Sequence, residues 1–307
     1  MSSLSRRALL GATLALSACT TFTPAPAPAP IVEPPPAEPS SPPPPPAPPK
    51  PPRIGLALGG GAARGFAHIG VIQVLEEAGI KVDLVAGTSA GSLVAALYAS
   101  GKTGKELAQV AEAMDEGSIT DWAFPTRGLI RGEALARYVR EKTGGRLIEQ
   151  MNIPLGIVAT DLSTGSAVCF RRGDTGTAVR ASSSVPTIFQ SVKIGTREYV
   201  DGGLVAPVPV RFAREMGAEL IIAVDISSPP SDKPESDAIH MLLQTVAIMG
   251  RSINNYELRE ADVVLRPALN GIGSADFTAR SRSILAGREI AKNMLPQIRQ
   301  AIAAKTH

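Results

Sequence analysis

Residues 87 to 91 read Gly87-Thr88-Ser89-Ala90-Gly91, a G-x-S-x-G pentapeptide set directly after the apolar run Asp83-Leu84-Val85-Ala86 and directly before a helical stretch, Ser92 to Ser100. A hydroxyl can be exposed at the top of a sheet only if the chain reverses sharply between strand and helix. Such a reversal crowds the backbone and favours residues with little or no side chain on either side. Gly87, Ala90 and Gly91 meet that need, which makes Ser89 a candidate nucleophile and Gly87 and Gly91 the glycines of its elbow. The pentapeptide alone is a weak signal; the strand before it and the helix after it give it weight.

Around this elbow the chain alternates strand-like and helical patterns. Ile54 to Leu58 precedes a helix from about Phe66 to Ala78; Leu84 to Ala86 precedes the helix after Ser89. Later apolar runs at Leu155 to Ala159, Leu220 to Val224 and Val263 to Leu265 read as buried strands, and Ile284 to Ala303 reads as a closing helix. The alternation predicts an α/β domain with a mostly parallel central sheet flanked by helices. No internal repeat is evident. In such sheets ligands bind at the carboxyl ends of the strands. Two glycine-rich turns lie at such ends, after Leu58 and after Ala86, and face one crevice if their strands are neighbours.

The first turn, Gly59-Gly60-Gly61-Ala62-Ala63-Arg64-Gly65, opens the helix at Phe66. Free amides and the positive dipole end at a helix start suit an anion, here the oxyanion of acyl transfer. Arg64 is a candidate for added charge there, or a solvated side chain. A dinucleotide fingerprint fits less well, because Ala62 stands where the second glycine should approach phosphate and Asp83 precedes its strand instead of ending it. No Walker lysine follows the glycines. No nucleotide is therefore expected.

A nucleophilic serine needs a base, and the three histidines offer poor contexts. His68 lies within the first helix, His240 starts a mostly apolar one and His307 is the last residue, expected to fray; each reads as packing or surface. An acidic base fits better: Tyr199-Val200-Asp201-Gly202-Gly203 ends a short strand in a turn where two glycines permit close approach. A lone D-G-G is also a common hairpin turn.

Taken together, the GGGxxRG turn, GTSAG and DGG, each after a strand and in this order, resemble the patatin-like phospholipases. They are similar in particular to the bacterial branch related to neuropathy target esterase. The likeness runs from Ile54 to the final helix and includes Thr160-Asp161-Leu162-Ser163-Thr164-Gly165, Ala181-Ser182-Ser183-Ser184-Val185-Pro186 and Asp262-Val263-Val264-Leu265. The resemblance implies the three-layer fold of that family. It also implies hydrolysis of lipid acyl esters by a Ser-Asp dyad, with Ser89 as nucleophile, Asp201 as base and the amides of Gly60, Gly61 and Ala62 as oxyanion hole. No metal or cofactor is implied. An acyltransferase using the same acyl-enzyme, or a tethered binding protein with a vestigial dyad, are the alternatives.

The start of the chain is of another kind. Residues 1–18 read as a signal peptide, since Arg6-Arg7 precede an apolar run, Ala8 to Leu16, too short to span a bilayer. Leu16-Ser17-Ala18-Cys19 resembles a bacterial lipobox, which implies lipidation of Cys19 and anchorage to a membrane. Thr20 rather than Asp follows it, which in such lipoproteins implies the outer membrane, facing the periplasm. Ser5 to Leu10 also resembles a twin-arginine signal, so the export route stays open between that and ordinary secretion. Residues 19–52 form the lipidated terminus and a proline-rich linker: seventeen of the chain's 27 prolines fall between Pro24 and Pro52. As polyproline II these 29 residues reach on the order of 90 Å. Residues 53–307 remain for the catalytic domain.

Cys169, left alone in the strand-like run Ala167 to Phe170, reads as a small core residue, and no intrachain disulfide is expected. Without the leader's two arginines the formal charge falls from +3 to +1, which implies neither nucleic-acid binding nor electrostatic membrane capture. Trp122, in the loop-like stretch Ile119 to Phe124, is read as a side-pocket aromatic or an acyl entrance. In the helix after His240, Leu243, Val246, Ala247, Gly250 and Ile253 share one face; it is expected to be mostly core rather than a lid.

Overall fold

The computed structural model describes residues 49–115, 117, 119–121, 129–228, 237–273 and 275–307. The expected signal peptide, Cys19, the linker up to residue 48 and Trp122 lie outside the described residues.

Eight strands form one sheet: β1 (Ile54–Leu58), β2 (Leu84–Thr88), β3 (Leu155–Asp161), β4 (Ala167–Phe170), β5 (Val192–Ile194), β6 (Arg197–Asp201), β7 (Leu220–Val224) and β8 (Val263–Leu265). Their order is β5-β6-β3-β2-β1-β7-β8, with β4 paired to β3. The pairs β3–β2, β2–β1, β1–β7 and β7–β8 are parallel; β4, β5 and β6 are antiparallel additions around β3. The five strands expected from the buried apolar runs are thus present, and three antiparallel strands, β4, β5 and β6, complete the sheet. The helices are α1 (Phe66–Glu77), α2 (Ala90–Ala99), α3 (Gly104–Glu112), α4 (Glu133–Lys142), α5 (Thr175–Ser182), α6 (Val210–Glu215), α7 (Ala238–Glu257) and α8 (Arg280–Ala304).

The central strands are covered on both faces, which explains why β1, β2 and β7 read as continuous apolar runs instead of alternating ones. Side chains still alternate in size. Leu56, Leu58, Val85, Leu220, Ile222 and Val224 face the larger helical layer of α1, α2 and α8. Ala57, Ala86 and Ala223 face the other side, where the six-residue α6 packs with Ala213 and Met216. Gly55 belongs to this thin side, since a Cβ there would stand 2.5 Å from the Ala218 methyl. Each large side chain fully buried in the thick layer contributes on the order of 1.5–3 kcal/mol.

The domain closes through α8 on α1. Gly70 and Gly287 face the partner backbones: a Cβ at Gly70 would lie 2.0 Å from the Ile284 carbonyl oxygen, and one at Gly287 would lie 1.9 Å from that of Ala67. At the other end of α8, His307 exchanges backbone hydrogen bonds with Lys50 (2.7 and 3.2 Å). The expected fraying of His307 is therefore corrected; the chain's two described ends hold each other.

Helix α7 is less buried than expected. Only Gly250, Asn254 and Glu257 are buried, while Met241, Leu243, Ile248 and Met249 are exposed. Helix α7 packs through its second half against the turns Gly202–Leu204 and Leu258–Glu260. On the expected face Gly250 is buried, Val246, Ala247 and Ile253 are half-buried and Leu243 is at the exposed edge, whereas Met241, Ile248 and Met249 lie off that face.

The α1–α8 crossing gives a test. Alanine favours a helix over glycine by about 1 kcal/mol, whereas an added methyl in a closed contact costs typically about 1–3 kcal/mol. Gly287→Ala is expected to lower the thermal midpoint of unfolding; a raised midpoint would show that the helices do not cross this closely.

Candidate active site

The elbow and the glycine-rich turn meet backbone to backbone. Ser89 follows β2 with φ 53° and ψ −124° and caps α2. Among the described residues only Ala62, Ser89 and Thr187 carry positive φ without being glycine. Such conformations cost of order 1–3 kcal/mol and persist where surrounding structure enforces them. Here the enforcement is visible. A Cβ at Gly91 would lie 2.2 Å from the Leu58 carbonyl oxygen, one at Gly87 2.5 Å from that of Gly91, and one at Gly65 2.8 Å from the Ala90 methyl. The start of α2 therefore closes directly onto the end of β1. Gly60 completes the contact, its missing Cβ 3.1 Å from that of Ser89.

Asp201 arrives from the antiparallel margin. Val158 pairs with both Thr88 of β2 and Cys169 of β4, and Ala159 pairs with both Val168 of β4 and Asp201 of β6. Strands β2 and β6 must then share the same edge of β3, end to end. This register brings the residue after Thr88 and the last residue of β6 together. Gly202 makes the junction possible, because a Cβ there would stand 2.2 Å from the Val158 carbonyl oxygen and 3.1 Å from the Thr88 methyl.

The Asp201 carboxyl is 5% exposed. Its Oδ1 accepts the Gly203 amide at 2.6 Å, while Oδ2 is buried without a hydrogen-bond partner. Burial pushes its pKa up to about 6, against the opposing influence of the neighbouring Ser89 hydroxyl and the Gly203 amide. The Ser89 hydroxyl is near enough to influence the carboxyl yet makes no formed hydrogen bond with it. Such contacts are often long before substrate binds.

One oxyanion expectation is corrected. The Gly60 amide donates to the Pro207 carbonyl at 2.9 Å, as Gly59 donates to Val224 at 3.0 Å, so Gly60 anchors the turn instead of offering a free donor. Among the described residues the Gly61 and Ala62 amides have no protein acceptor. Gly61 is pinned against Ile226, whose carbonyl oxygen would be 2.9 Å from a Cβ.

Arg64 is neither solvated nor linked to Ser89 or Asp201 by a hydrogen bond or ion pair. It is 5% exposed, and its Nε has no partner. Burial holds its pKa below the usual value, partly offset by Asp225.

His68 is buried beneath the turn and donates from Nε2 to the Gly59 carbonyl oxygen at 2.8 Å. Burial depresses its pKa to about 4, despite that bond and the Asp225 charge, so it is neutral at pH 7. His240 is exposed and paired with Asp237 at 2.7 Å. Cys169 is half-buried, its thiol pushed up to about 12 by burial.

Two contributors lie in the serine run noted in the family resemblance, where sequence assigns neither of them a role. The Ser182 hydroxyl accepts the Ser89 amide at 2.9 Å and donates to the Val158 carbonyl at 2.5 Å. Two residues on, the Ser184 carbonyl accepts the Asp201 amide at 2.9 Å. Thr88 and Thr160 hydroxyls, donating to Ala206 and Asp201 carbonyls at 2.8 Å each, fix the same junction. A cavity of about 660 Å³ beside β4, lined by Met151, Cys169 and Arg171 among others, holds none of these groups. Among the described residues no cluster of three His, Cys, Asp or Glu side chains is placed to hold a metal.

Comparison with known proteins adds to this geometry. An uncharacterized NTE family protein of Mycobacterium tuberculosis is 38% identical over 190 residues, 61% of this chain and 52% of that one. A second from the same organism is 30% identical over 269 residues, 79% of this chain and 46% of that one. Mouse patatin-like phospholipase domain-containing protein 6 is 35% identical over 184 residues, 57% of this chain and 14% of that one. The chain spans about half the length of the mycobacterial relatives. VipD from Legionella pneumophila shares the fold with a TM-score of 0.54 at 12% identity, over 80% of this chain and 67% of that one. The sequence pattern of the patatin-like phospholipases matches residues 56–214, and the chain belongs to that family.

Proposed function

We propose that the protein is a serine hydrolase of lipid acyl esters, with Ser89 as nucleophile and Asp201 as its base. The observation that carries this reading is a buried, partner-free carboxylate oxygen beside a serine held at a strained strand-to-helix elbow. A carboxylate of ordinary pKa near 3.9 is a weak base for a hydroxyl; one raised by burial is stronger.

Asp201 takes the proton as the Ser89 oxygen attacks the ester carbonyl, the Gly203 amide orienting Oδ1 and leaving Oδ2 to receive it. The amides of Gly61 and Ala62 donate to the negative oxygen of the tetrahedral intermediate. The proton passes to the departing alcohol, an acyl-enzyme remains, and water repeats the cycle to release the fatty acid. The lipobox-like stretch ending at Cys19 supports a further part of the proposal: an exported, membrane-anchored enzyme whose substrates are membrane lipids.

Fatty-acid release from phospholipid, lysophospholipid and short-ester micelles tests the reading. Ser89→Ala is expected to fall to background and Asp201→Asn to lose about 10²–10⁴-fold; full activity in Ser89→Ala would overturn the mechanism, and an acylated acceptor in place of free acid would make the enzyme a transferase. Because the base works as a carboxylate, kcat/KM is expected to fall tenfold per pH unit below about 6 and to level off above it.

The same shift has a stability sign. A carboxyl whose folded pKa is raised from 3.8 to about 6 stabilises the fold fully below its unfolded pKa, and that contribution is lost as pH rises through 6, on the order of 2–3 kcal/mol by pH 7.5. Asp201→Asn, which does not titrate, is therefore expected to gain stability relative to the native protein between pH 4 and pH 7.5 in urea unfolding. An unchanged difference at the two pH values would mean that Asp201 is not desolvated.

A further inference from the structure

Behind the glycine-rich turn, on the side away from Ser89, lies a cavity of about 200 Å³ lined by Arg64, Asp225, Ile226, Ser227, Arg266 and Asn270, among others. It sits at the carboxyl ends of β7 and β8, the crevice in which open α/β sheets take ligands. Its charges do not cancel. Both oxygens of Asp225 are occupied, Oδ1 by the amide and hydroxyl of Ser227 and Oδ2 by Arg266 Nε at 3.2 Å. Arg64 is left over: a residue 5% exposed whose Nε is buried without a partner and whose guanidinium forms no hydrogen bond or ion pair among the described residues, feeling Asp225 only at a distance. Among the described lining residues two guanidiniums against one carboxylate leave a net charge of +1, and the buried His68 beside them is neutral. A buried charge without partners costs several kcal/mol unless an opposite charge satisfies it, and the guanidinium fork matches phosphate oxygens two at a time.

We propose that this cavity binds a phosphate group, held by Arg64 and by the face of Arg266 turned away from Asp225. Two strand spacings, from β2 across β1 to β7, put it about 10 Å from Ser89, a span that a glycerophosphate backbone covers. The phosphate has two possible sources. As a lipid headgroup it would make the enzyme select phospholipids over neutral glycerides, an arm that rests on the hydrolase reading above; as free phosphate it would load the turn that carries the Gly61 and Ala62 amides.

The test uses the full chain carrying Ser89→Ala, so that binding is measured without turnover. Inorganic phosphate is titrated calorimetrically and is expected to bind once per chain. Adding Arg64→Gln or, at the more exposed position, Arg266→Gln is expected to weaken binding at least about tenfold. A short-chain lysophospholipid below its micellar concentration, set against the monoacylglycerol of the same chain length, then identifies the source. Displacement of phosphate by the lysophospholipid alone assigns the site to the headgroup, and displacement by neither assigns it to free phosphate. In the active enzyme, the headgroup assignment further requires both arginine variants to lower the ratio of kcat/KM for lysophospholipid over monoacylglycerol. Absence of phosphate binding, or unchanged binding in both arginine variants with native melting curves, overturns the proposal. Loss of activity in every assay with phosphate binding intact would remove the hydrolase reading and leave the site standing.

Discussion

The whole site depends on the absence of a single carbon atom. With no side chain at Gly91, the first turn of α2 rests on the carbonyl oxygens of Leu58 and Gly59, 2.2 and 2.6 Å from where a Cβ would be. That contact draws the elbow down onto the end of β1 and holds Ser89 at positive φ. It also sets the glycine-rich turn against Ser89, because Gly60 fills the space beside the Ser89 Cβ. The turn is then tied from behind by Gly59 and Gly60 amides on Val224 and Pro207 and by His68 on the Gly59 carbonyl. Only the next amides, those of Gly61 and Ala62, remain to meet an anion. Strain at Ser89 is thus maintained by packing around it.

A second constraint sets the chemistry. Strands β2 and β6 abut on one edge of β3, and the serine run at the end of α5 bridges them, with Ser182 on the Ser89 amide and Ser184 on that of Asp201. The bridge uses backbone and leaves the carboxyl oxygen Oδ2 alone. Satisfying that oxygen with another donor would lower the pKa and weaken Asp201 in the role of base proposed for it. The cost of an unpartnered buried acceptor is borne by the fold, in the form of stability forgone above pH 6. Under the proposed mechanism activity and stability therefore pull on Asp201 in opposite directions.

Much of this arrangement was legible before any coordinates. Alternating strand and helix patterns fixed the central parallel strands because burial on both faces leaves apolar runs, and the elbow glycines stood out because only a close approach requires them there. What sequence could not supply was the commitment of individual hydrogen bonds. Gly60 looks as free as Gly61 in the string GGG, and only the position of Pro207, 147 residues onward, makes it an anchor. Helix α7 shows a similar gap. Its apolar spacing is that of a core helix, yet, with α6 packed on the thin side of the sheet, its apolar face is buried only at Gly250 and half-buried at Val246, Ala247 and Ile253. Periodicity reports which face is apolar; occupancy by another element decides whether that face is buried.

His68 and Arg64 show how two ionisable side chains four residues apart meet burial differently. The imidazole can discard its charge: burial takes its pKa to about 4, and as a neutral ring it supplies the one donor that the Gly59 carbonyl needs. The guanidinium has no such route, because even a lowered pKa leaves it charged near pH 7. A neutral histidine is a finished structural element, whereas a charged, unpaired arginine beside a cavity is one half of an interaction. Asp225 is too far committed to Ser227 and Arg266 to be the other half. The physical argument for a ligand at the β7 end of the crevice is thus independent of the dyad at the β2 end, although the same glycine-rich turn forms a wall of both.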